Sequence, residues 1–90
     1  MDVRTLRRRL KLTQRQFAGY FGLPVATLRH WERGNRRPSG TALVLLHVIA
    51  SNPRAVRDAV LKTRQKFPHA LPQFEPLRSL RAPPGLANRP

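Results

Sequence analysis

The side chains of this chain best suited to act on another molecule are nearly all guanidinium groups. Fifteen of its eighteen basic residues are arginine, and they face only four acids, Asp2, Glu32, Asp58 and Glu75. The most informative placement lies in Thr13–Gly34, TQRQFAGYFGLPVATLRHWERG, where Ala26, Thr27, Arg29, His30 and Arg33 fall on the outward side of a helical pattern. An arginine fork can donate to guanine O6 and N7 together and discriminate that base by about 1–3 kcal/mol, which makes Arg29 the leading candidate reader. Thr27 can bond a base edge or touch a thymine methyl, and Ala26 can make only apolar contact. His30 can meet a base or a phosphate, although a lone exposed histidine is more often simply solvated. Covalent chemistry has no such support: cysteine, paired carboxylates and a nucleophile–base triad are all missing. His30, His47 and His69 are too far apart in sequence to form a zinc pattern. No catalytic residue, metal, cofactor or small-molecule substrate is therefore expected.

Positioning those side chains requires two short helices and a tight turn. Thr13 followed by Gln16 is a capping box for a helix over Gln14–Phe21. Phe17 and Phe21, four apart, share its inner face, with Ala18 and Tyr20 on the margins. Gly22 suits the left-handed residue that ends many helices. Pro24, with φ already helical, is placed to open a second helix, Pro24–Arg33. Val25, Leu28 and Trp31 point that helix inward, with Val25 at the edge of the turn, and Gly34 stops it. Helix, glycine turn, helix is the helix-turn-helix pattern. The competing reading is an ordinary amphipathic helix in a small bundle.

Leu12–Pro38, LTQRQFAGYFGLPVATLRHWERGNRRP, resembles the DNA-binding domain of the Xre/Cro/C1 family of phage and plasmid repressors. The matching residues are Thr-Gln at the start of the first of these helices, Phe-Ala one turn on, Gly-Leu, and Thr-Leu-x-x-Trp-Glu-x-Gly. The stretch Arg37-Pro38-Ser39-Gly40, with Leu45-Leu46-x-Val-Ile49, is similar to HigA-type antitoxins of toxin–antitoxin modules. One departure is that Pro24 stands where the family usually carries a Ser or Thr cap. The resemblance implies an all-α, five-helix Cro/C1-type (lambda-repressor-like) bundle, with Val25 at the groove beside Ala26, Thr27, Arg29 and His30. It implies that Gln14 bonds a backbone phosphate and braces the next helix, and that Arg7 pairs with Glu32. Arg15, Arg33, Asn35, Arg36 and Arg37 are expected at phosphates, although a solvated Arg15 is an equal reading. Phosphate contacts of this kind set register rather than sequence choice.

Around this unit, a first helix over Val3–Leu10, capped by Asp2, carries the apolar stripe Val3, Leu6, Leu10. Its run of arginines is a solvated face unless it meets phosphate. After the loop Gly34–Gly40, GNRRPSG, the stretch Thr41–Ala50, TALVLLHVIA, is apolar nearly all round and must be covered on both sides. Ninety residues cannot supply two covering layers, so a second copy is expected on one side, with Leu43, Leu46, His47 and Ala50 at the contact. A central helix wrapped by its neighbours is the competing reading. Asn52-Pro53 starts a fifth helix to about Thr63, with Val56, Ala59, Val60 and Thr63 inward and Arg54, Arg57, Asp58 and Arg64 outside. From Gln65 prolines recur at 68, 72 and 76, and a Pro-rich, disordered tail over 65–90 is expected. A segment that orders against a partner is the alternative.

Length and charge agree with one domain, 1–64, with its helix-turn-helix unit at 13–34. A body of that size buries roughly 60% of its unfolded surface and gains from a partner. A formal charge of +14 suggests a polyanion, double-stranded DNA first, although an arginine-biased genome would also raise it. No apolar run approaches a membrane span, so a cytoplasmic protein, on the nucleoid when DNA-bound, is expected. The combined reading is a homodimeric repressor on an inverted-repeat operator, with a small RNase toxin as a possible partner. The alternatives are a stand-alone Cro-like repressor or mainly a toxin-neutralising interaction protein.

Overall fold

The computed structural model describes residues 2–72, and these form five α-helices with no strand among them. They are α1 (Val3–Arg9), α2 (Gln14–Phe21), α3 (Val25–Arg33), α4 (Thr41–Ser51) and α5 (Pro53–Lys66). The all-α class is as expected. The segment 73–90, to which most of the expected tail belongs, lies outside the described residues.

Local chemistry starts and stops each helix. The Asp2 carboxylate accepts from Arg4 N at 3.0 Å and from Thr5 Oγ1 at 2.8 Å, capping α1. The helix ends one residue before Leu10, because Lys11 turns left-handed at φ 60. Lys11 N donates to Arg8 O at 3.0 Å and Leu12 N to Arg7 O at 3.3 Å, a Schellman closure built without glycine. At α2 the capping box is complete: Gln16 N donates to Thr13 Oγ1 at 3.0 Å, and Thr13 N to Gln16 Oε1 at 2.9 Å. Gly22 closes that helix at φ 75.

Pro24 behaves differently from the expectation that it opens the recognition helix. Its ψ of 137 keeps it extended, so α3 begins at Val25. Pro24 serves as a cap without a side-chain bond, contributing only the carbonyl that accepts from Leu28 N at 3.2 Å. Asn52 caps α5 through Ala55 N, and Pro53 occupies its first position. That helix continues three residues past Thr63, to Lys66, since the first proline of the following segment is Pro68.

One core unites all five helices. Phe17, Leu28, Leu46 and Ile49 are wholly buried, joined by Val3, Leu6, Leu10, Leu12, Tyr20, Phe21, Val56 and Val60. Phe17 meets Phe21 edge-on, with centroids 4.8 Å apart at 69°. Tyr20, expected at the margin of α2, is buried as deeply as the phenylalanines, because α5 packs over the side that α3 leaves open. Ala59, expected inward on α5, is exposed. Arg64, expected outside, is half-buried and ties two segments together. Its Nη2 donates to Gly19 O at 3.3 Å and its Nη1 to Pro72 O at 2.7 Å. Leu71 is thereby held against the core beside Gly22.

Candidate nucleic-acid interface

α2 and α3 pack against each other through Phe17, Phe21 and Leu28, and this rigid pair sets the direction of the outward side chains of α3. Ala26, Arg29 and Arg33 are exposed, while Val25, Thr27 and His30 are half-buried. Val25 also packs against the core, so its side chain is shared between the interior and the surface. The Arg29 Nε donates to Gln14 Oε1 at 3.4 Å, a bond that does not engage the terminal guanidinium nitrogens. His30 Nδ1 lies 3.3 Å from Asn35 Nδ2, so the helix and the loop that follows it are linked at this point. Asn35 N also donates to His30 O at 3.0 Å, which folds the loop back over the end of α3.

Beneath this surface lies a carboxylate with four donors. Glu32, whose side chain is 1% exposed, accepts from Arg7 Nε at 2.7 Å on Oε2 and from Arg7 Nη2 at 2.9 Å on Oε1. Arg4 Nε, at 3.4 Å, and Gln14 Nε2, at 3.2 Å, donate to the same Oε1. Arg7 adds a bond from Nη1 to Leu12 O at 3.0 Å, and Arg4 one from Nη2 to Glu32 O at 3.2 Å. A bidentate arginine–carboxylate pair with further donors offsets the cost of removing the charge from water. Burial alone would push the Glu32 carboxyl upward, but the bonds from Arg7, Gln14 and Arg4 outweigh it and hold the group below the ordinary glutamate value. The Arg7 guanidinium is shifted upward, first by the Glu32 hydrogen bond.

Of the two roles expected of Gln14, the network concerns the bracing of the next helix. Both ends of its side-chain amide are engaged within the protein, Nε2 on Glu32 and Oε1 under Arg29. The amide therefore braces α3. Arg4, which joins this network, stands three residues before Arg7 and so shares its helical face, the one signal in the sequence that points to it. Arg15, Arg33, Asn35, Arg36 and Arg37 are all exposed, and Asn35 and Arg36 are both tied to His30, Asn35 through its side chain and backbone N and Arg36 through its backbone N at 3.4 Å.

Leu46 corrects the expected dimer contact. It is 0% exposed inside the chain's own core, on the side of α4 that α5 packs against. Leu43 and Ala50 are half-buried and His47 is exposed. The apolar side chains left uncovered on α4 are instead Val44, 63% exposed, and Val48, 41% exposed, one turn apart.

A family model described as helix-turn-helix matches residues 3–47, half of the chain, from the start of α1 into α4. The chain belongs to the helix-turn-helix family. This is the Xre/Cro/C1 type, a family of DNA-binding regulatory domains and not of enzymes. No curated protein and no solved structure matches the chain. The helix-turn-helix domain makes the chain a DNA-binding transcriptional regulator. No helix among the described residues is long and apolar enough to cross a membrane.

Proposed function

We propose that this regulator is a sequence-specific repressor that acts as a homodimer on an inverted-repeat operator. The observation that carries the reading is the outward side of α3, where exposed Ala26 and Arg29 and half-buried Thr27 and His30 precede the cationic loop at Arg36 and Arg37. Helix N-terminal residues of this kind reach base edges in the major groove, while flanking cations hold phosphates. Val44 and Val48 supply the apolar patch through which a second copy would bury α4. Two recognition helices would then enter successive major grooves about 34 Å apart. The excess of arginine would make affinity fall steeply with salt.

More narrowly, the protein serves as the antitoxin of a small RNase-type toxin and represses its own operon. That reading draws on the likeness of Arg37-Pro38-Ser39-Gly40 and the following apolar helix to HigA-type antitoxins. Footprinting on the promoter upstream of its own gene tests the repressor: two protected half-sites related by two-fold symmetry are expected, and protection without symmetry would refute the dimer. Co-purification with the product of the adjacent gene tests the antitoxin role, and a chain that elutes alone from co-expressing cells would leave a stand-alone repressor.

A further inference from the structure

A cleft of about 390 Å³ lies between the start of α1, the last turn of α3 and the loop leading to α4. Its apolar wall is Val3, Trp31, Pro38 and Leu43, and its cationic rim is Arg36 and Arg37. Trp31 packs one part of its ring against the core and leaves the rest toward the cleft. The acid at the margin, Asp2, is committed to capping α1 through Arg4 N and Thr5 Oγ1. Among the described residues no carboxylate pairs with Arg36 or Arg37, so the rim is an unneutralised double cation beside an aromatic wall.

We propose that this cleft binds a small aromatic carboxylate, its ring against Trp31 and Leu43 and its carboxylate on Arg36 and Arg37. The volume is of the size that holds a single-ring ligand, and the composition, mostly apolar with a few convergent polar groups, is that of a small-molecule site. Guanidinium groups bind carboxylates by paired charge-assisted hydrogen bonds. The same two arginines are those assigned above to DNA phosphate. Ligand and duplex therefore compete, and the ligand releases the regulator from DNA. The competition rests on the DNA-binding reading; the binding site itself does not.

Trp31 is the sole tryptophan, so its emission reports the cleft directly. The full chain is titrated with phenylacetate, with 2-phenylethanol, which keeps the ring, and with acetate, which keeps the charge. A saturable change with phenylacetate is expected, with both controls and the Arg36→Gln/Arg37→Gln variant weaker by about tenfold or more, as loss of a charged hydrogen-bond pair implies. A thermal melt of the variant matching the parent shows that the fold is intact. Equal responses to phenylacetate and 2-phenylethanol, or an undiminished response in the variant, would overturn the proposal. So would emission that depends on protein concentration without ligand, which would put a second copy in the cleft. In a duplex-binding assay, phenylacetate is expected to weaken binding relative to equal acetate; unchanged binding would overturn the competition. A chain that answers to phenylacetate yet binds no duplex at all would preserve the cleft and sink the DNA reading instead.

Discussion

Helices α3 and α4 are nine and eleven residues long and flank one short loop, yet they are held by different physics. α3 buries a single apolar side chain fully, Leu28, and is anchored near its C-terminal end by the buried Glu32 carboxylate under Arg7, Arg4 and Gln14. α4 buries Leu46 and Ile49 and, apart from the Arg9 bond to Ala50 O, is held by apolar contact. Their outward faces differ in the same sense. α3 offers Arg29 and Arg33 to a polyanion, whereas α4 offers Val44 and Val48 to another apolar surface. An electrostatic anchor leaves α3 free to carry a polar outer face without a large apolar inner one. The hydrophobic anchor of α4 consumes only part of its apolar surface, and the remainder calls for a partner.

The largest expected effects separate the two anchors. Glu32→Ala, which leaves Arg7 buried without its acid, should cost about 3–5 kcal/mol at neutral pH by urea unfolding. Leu46→Ala should cost about 2–5 kcal/mol through the cavity it opens. Only the first should depend on pH. The folded Glu32 carboxyl titrates below its unfolded value of about 4.5, so its contribution is complete above that value and is lost as pH falls through the folded one. The Glu32→Ala deficit should therefore shrink below about pH 4.5 while the Leu46→Ala deficit persists. A Leu46→Ala deficit that shrinks in parallel would erase the contrast.

Next in size is the outer face of α4. Val44→Lys with Val48→Lys should leave the thermal unfolding of a protomer within about 0.5 kcal/mol, as exposed substitutions do. In sedimentation it should abolish self-association and lower operator affinity. A variant that still sediments as a dimer would move the interface elsewhere. On α3, Arg29→Ala should lose about 1–3 kcal/mol at one base pair per half-site, whereas Arg36→Ala should weaken all duplexes alike and reduce the salt slope by about 1. Equal losses on operator and random DNA for both variants would remove the distinction between reader and phosphate clamp. The smallest expected change concerns neither helix: Lys11→Gly should stabilise the chain by about 1 kcal/mol, since Lys11 holds a left-handed conformation that glycine adopts without strain.

Much of this architecture is legible residue by residue. The Thr13–Gln16 box, Gly22, Gly34 and Asn52-Pro53 mark helix ends through bonds made within four residues, so local spacing suffices to locate them. Phe17, Leu28 and the apolar stripe of α1 announce the core by periodicity. The left-handed turn at Lys11 carries no glycine signal, and Pro24 reads as a first helical residue because a proline satisfies the φ of a cap and of a first helical turn alike.

Contacts between distant segments follow a different logic. Arg4 and Gln14 converge on Glu32 across 28 and 18 residues, and Arg64 reaches Gly19 across 45, distances over which chain order carries no directional information. The uniform run of α4 likewise could not say which of its apolar side chains turn inward. A helix with grease on every side has no periodic signal, and Leu46 rather than Val44 is core because of how α5 packs on α4. The order of amino acids thus sufficed for the five helices and for the ends marked by a capping box, a glycine or Asn52-Pro53, because each depends on neighbours along the chain. Packing added Arg4 and Gln14 to the expected Arg7–Glu32 pair and decided the bare stripe on α4 and the cleft beside Trp31, because each depends on where separate helices come to rest.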